Sequence, residues 1–499
     1  MPDSPLLDLF VIGGGINGTG IARDAAGRGL SCALSEQNDL GQGTSSRSSK
    51  MIHGGLRYLE YFEFRLVRKA LIEREVLLRN APHIIWPLRF VLPHAPQDRP
   101  AWLLRLGLYI YDHLGGRNVL PPTRALDLHR DQVGAPLQPQ YRRGFEYSDC
   151  WVDDARLVVL NAMDAAAHGC RIMTRSRVVR AERQDGIWQI TVAFASGETA
   201  IFRAKALVNA AGPWVSGVAA DVAGLPATRR VQLIKGSHII VRKFWTGDHA
   251  YLIQNNDKRV IFAIPFGDDY ALIGTTDIPF DAAPDAPEPT EGERTYLLDA
   301  ANRYFKVQLT ATDILDEFAG VRALFDDGQG NPSAVTRDFA FELNQDGPAL
   351  LNVFGGKVTT YRELSEQAMQ HLAPILPHMG PSWTKNAPLP GGDLPGGDPQ
   401  QFAESLHQAY PWLGPALAHD LTRRYGSQSH MILNGATSLA DLGQHFGARF
   451  YEAEARYLIQ HEWAKSAEDI LTRRTKHHLN LTPAQIESFA QWFAATQTA

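Results

Sequence analysis

The chain has 499 residues, 44% of them hydrophobic, and a net charge of −5. This length predicts two or three domains, and the acidic balance argues against a protein dedicated to nucleic-acid binding. Three cysteines without a Cys-x-x-Cys pair argue against a disulfide framework or a zinc ribbon, so we expect a reducing compartment and no metal site.

The first forty residues alternate strand and helix patterns. An apolar run at 9–12 leads into Gly13-x-Gly15-x-x-Gly18, a helical pattern follows to about Gly29, and a second strand ends at Glu36. Gly13 permits the tight turn, Gly15 lets a pyrophosphate approach the backbone, and Gly18 lets helix and strand pack closely. The carboxylate of Glu36 is placed to accept hydrogen bonds from the ribose hydroxyls. The unit predicts a dinucleotide site, without separating FAD from NAD.

A loop rich in hydroxyl groups follows at 44–49, where Thr44, Ser45 and Ser49 are three of five such side chains. Its place after the first strand–helix–strand unit favours wrapping around a pyrophosphate, although such runs are more often plain linkers. Residues 61–80 then predict a helix that stops before Pro82. We expect its charged residues to form a solvated surface: Arg65, Arg68, Lys69, Glu73 and Arg74.

Nothing in the chain indicates export or a membrane span. The N-terminus has no basic segment before its strand pattern, and no apolar run reaches about 18 residues. The stretch 99–111 combines Trp, Tyr and Leu with flanking arginines, which suits a membrane interface. Its apolar residues surround the helix on all sides, so we favour burial.

The rest of the chain predicts strands and then helices. Alternating residues at 170–210 and a turn at 267–269 indicate strands, and the Pro- and Gly-rich stretch 388–397 marks a boundary. Beyond it we predict a helix over 448–463, with Glu452 and Glu454 exposed, and a last helix from Thr482-Pro483. No catalytic group stands out there, so a scaffold or partner role is expected.

Ten ordered blocks between about residues 8 and 390 resemble the FAD-dependent glycerol-3-phosphate dehydrogenases. No single block is decisive, but their order makes the resemblance specific. The blocks are IGGGINGTGIARDAAGRG, TSSRSSKMIHGGLRYLE, GFEYSDCWVDDARLV, VNAAGPW, IKGSHI, DKRVIFAIPF, IGTTD, GVRALFDD, VTRD and FGGKVTTYRELSE.

The resemblance implies an α/β fold of the D-amino-acid-oxidase type. Residues 1–390 would form the oxidoreductase region, and 400–499 a helical C-terminal domain. FAD would be bound by segments of about 1–80, 150–230 and 340–390, and the substrate covered by about 81–149 and 231–339. The implied FAD contacts are Gly13, Gly15, Gly18, Glu36, Thr44, Ser45, Ser49, Lys50, Val178, Gly212, Gly356 and Thr359.

The implied reaction oxidises sn-glycerol 3-phosphate to dihydroxyacetone phosphate and passes electrons to quinone. The enzyme would be cytoplasmic and attached peripherally to the inner face of the cell membrane, with a homodimer left open. Such a site needs cations for phosphate and a proton acceptor. The implied phosphate ligands are Arg57, Tyr58, Arg322, Arg337 and Lys357, of which Arg322 and Lys357 are also candidate catalytic groups.

Two histidines compete for the role of proton acceptor. His53 lies four residues before Arg57, in a His-Gly-x-x-Arg run similar to one beside the flavin of related oxidases, and is our first choice. It also fits a purely structural role in the glycine turn. His238, on an alternating strand, is the rival.

Three other functions stay open from the sequence. An oxidase would pass electrons to oxygen, but relatives of that kind carry an insert not found here. An amine-oxidising flavoenzyme would need a carboxylate-binding pocket with fewer cations. A flavin-binding scaffold without turnover would bind FAD and show no bleaching with any substrate.

Overall fold

The computed structural model describes residues 5–95, 99–116, 119–255, 257, 259–325 and 338–498. The strands are β1 (Leu6–Ile12), β2 (Cys32–Ser35), β3 (Met51–Ile52), β4 (Ile85–His94), β5 (Arg124–Asp127), β6 (Arg143–Val152), β7 (Arg171–Met173), β8 (Ser176–Gln184), β9 (Ile187–Phe194), β10 (Thr199–Asn209), β11 (Val231–Arg242), β12 (Ala250–Gln254), β13 (Val260–Phe266), β14 (Tyr270–Gly274), β15 (Ile278–Pro279), β16 (Asp316–Phe325), β17 (Phe339–Asn344), β18 (Ala349–Gly355), β19 (His445–Gly447) and β20 (Phe450–Tyr451).

The α-helices are α1 (Ile16–Gly27), α2 (Phe64–Asn80), α3 (Ala101–Leu114), α4 (Asp154–Ala167), α5 (Val215–Gly217), α6 (Glu291–Tyr304), α7 (Tyr361–Leu372), α8 (Pro399–Ala409), α9 (Pro415–Tyr425), α10 (Ser429–Ile432), α11 (Glu452–His461) and α12 (Pro483–Thr498). The chain also has a 3₁₀ turn at Leu56–Tyr61 and a π-helical segment at Asp469–Arg474. None of the helices in the described residues is both long and apolar enough to cross a membrane.

The first sheet is largely parallel and carries the N-terminal unit. Its order is β17-β18-β10-β1-β2-β7, with β1 parallel to both β10 and β2. Helices α1, α4 and α7 pack together against it, and apolar residues of β1, α1 and α7 share one core. The predicted order of strand, glycine turn, helix and strand is confirmed.

The second sheet is mostly antiparallel, in the order β15-β11-β14-β13-β12-β4-β6-β3. Strand β16 runs antiparallel to β11 along nearly its whole length. Helix α6 packs on one face, and α2 and α3 contribute to the core on the other. The predicted turn at 267–269 joins β13 to β14 as expected. The sheet-rich layer and the appended helices confirm the expected fold class.

The C-terminal helices α8 to α12 form a core of their own. Helix α11 is shorter than the predicted 448–463, because β19 and β20 occupy the residues before it. The expected exposure of Glu454 was wrong. Its carboxylate is buried, where it accepts hydrogen bonds from Arg424 and Tyr425.

Two further surface predictions were wrong. On α2, Glu73 and Arg74 are buried in ion pairs with Arg362 and Asp149, because the helix packs against other elements on more than one side. On α3, only Leu108 and Tyr111 are buried, so the expectation that 99–111 lies in the interior fails for most of the helix.

Candidate active site

A cavity of about 1620 Å³ lies between the two sheets. The ends of four strands of the first sheet reach it, at Ile12, Ser35, Ala210 and Gly355. The carboxyl ends of parallel strands are where α/β sheets bind ligands. The second sheet supplies the opposite wall through β11, β12 and β16. The volume exceeds that of a typical single-ligand pocket, which suits a dinucleotide together with a substrate.

The glycine turn between β1 and α1 admits no larger residue at two positions. Gly13 has a φ of +108°, and a Cβ there would lie 2.6 Å from the carbonyl oxygen of Ala210. A Cβ at Gly18 would lie 1.9 Å from the carbonyl oxygen of Gly13. Gly13 and Gly15 line the cavity, whereas Gly18 lies behind them and serves the packing. The amide of Ile16 at the start of α1 donates to Ser45 Oγ at 3.0 Å.

Glu36 stands at the end of β2 and lines the cavity. One carboxylate oxygen accepts from the amide of Gly14 at 2.7 Å and the other from the amide of Asn38 at 2.8 Å. Burial raises the pKa of this carboxyl above its usual value, and the hydrogen bonds from the two amides offset only part of that rise. The backbone bonds fix the carboxylate at the edge of the glycine turn, where a ribose would lie.

Side-chain hydrogen bonds hold the hydroxyl-rich loop 44–49 in place on both sides of the cavity. Thr44 Oγ1 donates to the carbonyl of Val321 at 2.5 Å, and Ser48 Oγ donates to Asp154 at 2.7 Å. Thr44, Ser45 and Ser49 line the cavity, as do Val178, Gly212, Gly356 and Thr359. Lys50 does not. Its buried ammonium donates to Asp154 and to the carbonyl of Ser46, so it supports the loop from behind.

The segment carrying His53 is anchored through its backbone. The amide of His53 donates to Thr359 Oγ1 at 3.2 Å, and the amide of Gly54 donates to the hydroxyl of Tyr111 at 2.8 Å. That hydroxyl donates to Asp149, which also accepts from Arg74 at 2.8 Å. A buried series of hydrogen bonds that includes Arg74 of α2 and Tyr111 of α3 therefore positions the segment. His53 itself lines the cavity.

His238 approaches the same cavity from β11. Its Nε2 lies 2.8 Å from Ser49 Oγ, and its ring stacks on Phe318 with centroids 4.8 Å apart. Burial, followed by the charges of Lys50 and Arg322, holds its pKa well below the usual value. His238 is therefore a neutral imidazole at physiological pH.

The cations enter the cavity from both walls. Arg322 comes from β16 of the second sheet, Arg57 from the turn that follows β3 of the same sheet, and Lys357 from the segment after β18 of the first sheet. The ammonium of Lys357 lies 3.9 Å from the ring centroid of Tyr58. Arg337 lies outside the described residues. The remaining predicted phosphate ligands thus share one cavity.

Two residues of the cavity wall, Asp277 and Thr275, were not singled out from the sequence. Asp277 Oδ1 accepts a hydrogen bond from Arg322 Nη2 at 2.8 Å. The block IGTTD was noticed, but no rule of spacing connects its acid to an arginine on another strand. Their pairing depends on how the second sheet is assembled.

Comparisons with known proteins agree with this geometry. A model of FAD dependent oxidoreductases matches residues 8–362, and a model of the C-terminal domain of alpha-glycerophosphate oxidase matches residues 382–492. The chain belongs to the FAD-dependent oxidoreductase family. It combines the two domains in the manner of FAD-dependent glycerol-3-phosphate dehydrogenases, as the sequence resemblance predicted.

Several relatives extend over the whole chain. The D-erythritol 1-phosphate dehydrogenase of Brucella abortus is 60% identical over 99% of both chains. The glycerol-3-phosphate dehydrogenase of Pseudomonas aeruginosa is 52% identical over 98% of this chain and 96% of its own. The aerobic glycerol-3-phosphate dehydrogenase of Escherichia coli is 49% identical over 97% of each.

A solved structure has the same fold. The glycerol-3-phosphate dehydrogenase of Bacillus halodurans, complexed with FAD, superimposes with a TM-score of 0.76 at 26% identity. The match covers 98% of this chain and 94% of that one.

FAD is the cofactor of the family, and the residues present fit it. The glycine turn leaves no side chain over the start of α1, and Glu36 is fixed at the end of β2 for the ribose. Ser45 and Ser49 add hydroxyls along the cavity. The four strand ends at Ile12, Ser35, Ala210 and Gly355 line the same cavity as the cations Arg57, Arg322 and Lys357.

Proposed function

We propose that the protein oxidises sn-glycerol 3-phosphate to dihydroxyacetone phosphate. The observation that carries this proposal is the meeting of Arg57, Arg322 and Lys357 in the cavity that fits FAD. A phosphate dianion in a partly enclosed site needs such a cluster, and arginine binds it through paired hydrogen bonds. The names of the relatives from P. aeruginosa and E. coli support the same substrate.

In the reaction, the substrate loses a hydride from C2 and a proton from the C2 hydroxyl, and the C–O bond becomes a carbonyl. FAD, when bound, supplies the acceptor of the hydride. His53 is the proposed proton acceptor, held in place through Thr359 and Gly54. Neutral His238 would orient the hydroxyl with Ser49. Arg322, Arg57 and Lys357 would bind the phosphate and set the carbon chain beside the cofactor.

The proposed electron acceptor is a quinone of the cell membrane. The enzyme would then lie in the cytoplasm, attached peripherally to the inner face of that membrane. The E. coli relative, whose name calls it aerobic, supports a respiratory acceptor. A homodimer stays a prediction from the sequence.

An anaerobic titration tests the substrate. The purified holoenzyme should be yellow, and glycerol 3-phosphate should bleach its absorbance, whereas glycerol should not. Stopped-flow recording with both compounds measures the contribution of the phosphate directly. Unchanged absorbance with glycerol 3-phosphate, in protein that still holds FAD, would refute the proposal.

A second substrate is favoured by one specific observation. The relative named D-erythritol 1-phosphate dehydrogenase is 60% identical, against 52% and 49% for the two named glycerol-3-phosphate dehydrogenases. Both substrates carry a phosphate and a secondary alcohol, so the same cations would serve either one. The ratio of kcat/KM for D-erythritol 1-phosphate and glycerol 3-phosphate decides between them. A ratio above about ten, or 1.4 kcal/mol, assigns the four-carbon substrate.

A further inference from the structure

A buried carboxylate in the first turn of α6 lies behind the cavity wall. It belongs to Glu293, which is 2% exposed and does not line the cavity. Oε1 accepts hydrogen bonds from Ser237 Oγ at 2.7 Å and from Thr276 Oγ1 at 2.9 Å. Oε2 lies 2.8 Å from Lys235 Nζ and accepts from the amide and the hydroxyl of Thr290, each at 2.9 Å. Both oxygens are thus held by donors from α6, β11 and the segment after β14.

Glu293 keeps its charge at physiological pH. Burial alone would raise the pKa of this carboxyl, but the hydrogen bonds from Lys235 and the neighbouring donors outweigh burial and lower the pKa to about 2. Lys235 is buried as well. A buried ion pair costs desolvation, and apolar residues of similar volume often stabilise a fold equally well. Stability alone is therefore a weak reason for burying this pair.

Thr276 carries the contact from Glu293 to the cavity wall. Its Oγ1 donates to Glu293 and accepts from the amide of Ser237 at 2.9 Å, so the side chain is fixed from two sides. Its carbonyl oxygen accepts from Arg322 Nη2 at 3.2 Å, and the next residue, Asp277, accepts from the same nitrogen at 2.8 Å. The backbone that contacts the guanidinium is therefore itself held by the carboxylate of α6.

Gly236 on β11 shows how closely these groups converge. A Cβ there would lie 2.5 Å from Thr275 Oγ1, and 3.2 Å from both Arg322 Nη2 and the carbonyl oxygen of Thr276. A larger residue would push the guanidinium or the segment 275–277 out of place. The position of Arg322 thus depends on the position of that segment to within a few tenths of an ångström.

We propose that Glu293 is a positioning residue for Arg322. Through the side chain of Thr276 it fixes the segment 275–277, and that segment sets where the guanidinium meets the phosphate of the substrate. Because Glu293 lies behind the wall, it acts on the affinity for phosphate and not on the chemical step. The inference rests on the proposed function for the use of Arg322 as a phosphate ligand.

A pair of variants at Thr276 tests the link in the holoenzyme. Thr276→Val keeps the shape and removes the hydroxyl, and should raise the Kd for inorganic phosphate about tenfold, the effect of one lost hydrogen bond. Thr276→Ser keeps the hydroxyl and should restore the Kd to within about twofold of the parent value. Titration of the absorbance of the bound flavin measures both. Equal Kd values for Thr276→Val and the parent would overturn the proposal.

Double variants show whether Glu293 acts through Arg322. Glu293→Gln should raise the Kd for inorganic phosphate about tenfold in the parent background and less than about twofold in the Arg322→Ala background. The matched control is Glu291→Gln, an exposed position of the same helix, which should leave the Kd unchanged. Equal fold-changes in the two backgrounds would overturn the proposal. If Glu293→Gln does not fold, because Lys235 loses its counter-charge, the same comparison with Thr276→Val decides.

The kinetics of flavin reduction separate positioning from a general loss of structure. In anaerobic stopped-flow, Thr276→Val should need about tenfold more glycerol 3-phosphate for half its limiting rate, and the limiting rate and the flavin content should match the parent. A lower limiting rate with unchanged half-saturation would contradict the positioning role. If glycerol 3-phosphate bleaches neither protein, the proposed function fails, whereas the Kd values for inorganic phosphate still decide the role of Glu293.

Discussion

Asp277 and Arg322 form an ion pair on the wall of the cavity, with Oδ1 and Nη2 2.8 Å apart. The carbonyl of Thr276 accepts a second bond from the same nitrogen at 3.2 Å. A guanidinium is a planar fork of five N–H donors, so these contacts fix the orientation of the group on the cavity wall. Asp277 therefore orients an arginine that is proposed to bind phosphate.

The first prediction concerns this arginine. Arg322→Ala should weaken binding of glycerol 3-phosphate by about 2 to 3 kcal/mol, because a charged hydrogen bond in a partly enclosed site is lost. That corresponds to a Kd about 30- to 150-fold higher, measured by titrating the absorbance of the bound flavin with a non-reacting phosphate analogue.

Arg294→Ala is the matched control for Arg322→Ala, since Arg294 pairs with Glu317 at the protein surface. It should leave the Kd unchanged. Asp277→Asn keeps a hydrogen-bond acceptor but loses the charge, and should raise KM by a smaller factor than Arg322→Ala. Equal affinity for the parent and Arg322→Ala would exclude Arg322 from phosphate binding.

The second prediction distinguishes the two histidines. His53→Ala should slow anaerobic flavin reduction by about 100-fold, the range of a lost general base, while FAD stays bound. His238→Ala should have the smaller effect, because the depressed pKa of His238 makes it a poor proton acceptor near neutral pH. The measurement is stopped-flow reduction at saturating substrate. If only His238→Ala is slow, the roles are reversed.

The sequence predicted best where local rules govern the chain. The unit from 9 to Glu36 was recognised because each step, from strand to glycine turn to helix to acid, depends on neighbouring residues. Periodicity likewise placed the strands of 170–210. Resemblance then assembled distant candidates, and the structure places Arg57, Arg322 and Lys357 around one cavity.

The errors concern charged and apolar residues whose partners are distant in sequence. Arg74 was expected in solvent because its partner Asp149 lies on β6, far away in sequence, so the pattern of α2 gave no sign of the ion pair. Glu454 was misjudged for the same reason. For α3 the apolar content was correctly read, but which side faces solvent depends on packing against α2. Burial of this kind is a property of the tertiary structure, which local patterns do not contain.

The third prediction is a loss of stability in acid. Burial, followed by the nearby charges of Arg156 and Arg423, lowers the pKa of His83 to about 3. The unfolded chain binds this proton near pH 6.5, so the stabilising contribution is complete above that value and is lost as the pH falls toward 3. At pH 5, about 1.5 pH units below 6.5, the free energy of unfolding is lower by about 2 kcal/mol, because each unit corresponds to about 1.4 kcal/mol.

The variant His83→Gln should therefore show a shallower decline of unfolding free energy between pH 8 and pH 5, by about 2 kcal/mol, whatever its stability at pH 8. Urea denaturation at each pH measures the difference. His129→Gln, at an exposed position, is the control and should follow the parent curve. Parallel curves for His83→Gln and the parent would contradict the buried neutral imidazole.

The last prediction concerns Arg474, which links the C-terminal region to the loop that follows Glu36, next to the glycine turn. Its Nη1 and Nη2 donate to the two oxygens of Asp39 at 2.6 and 2.8 Å, and both residues are buried. Asp39 lies three residues after Glu36, in a loop whose Gly41 amide donates to Gly14 in the glycine turn. Arg474→Ala should cost about 3 kcal/mol, since it leaves a buried carboxylate with less compensation, and should loosen the loop.

The expected consequence is easier loss of FAD, measured as the ratio of flavin to protein after gel filtration in mild urea. Arg456→Ala is the control. Its pair with Glu452 is half-exposed and lies one helical turn apart, so it should cost less than about 0.5 kcal/mol. Arg474→Lys should be intermediate, because an ammonium keeps the charge but not the paired geometry. Full flavin retention by Arg474→Ala, despite lowered stability, would show that the C-terminal helices support the fold without holding the cofactor.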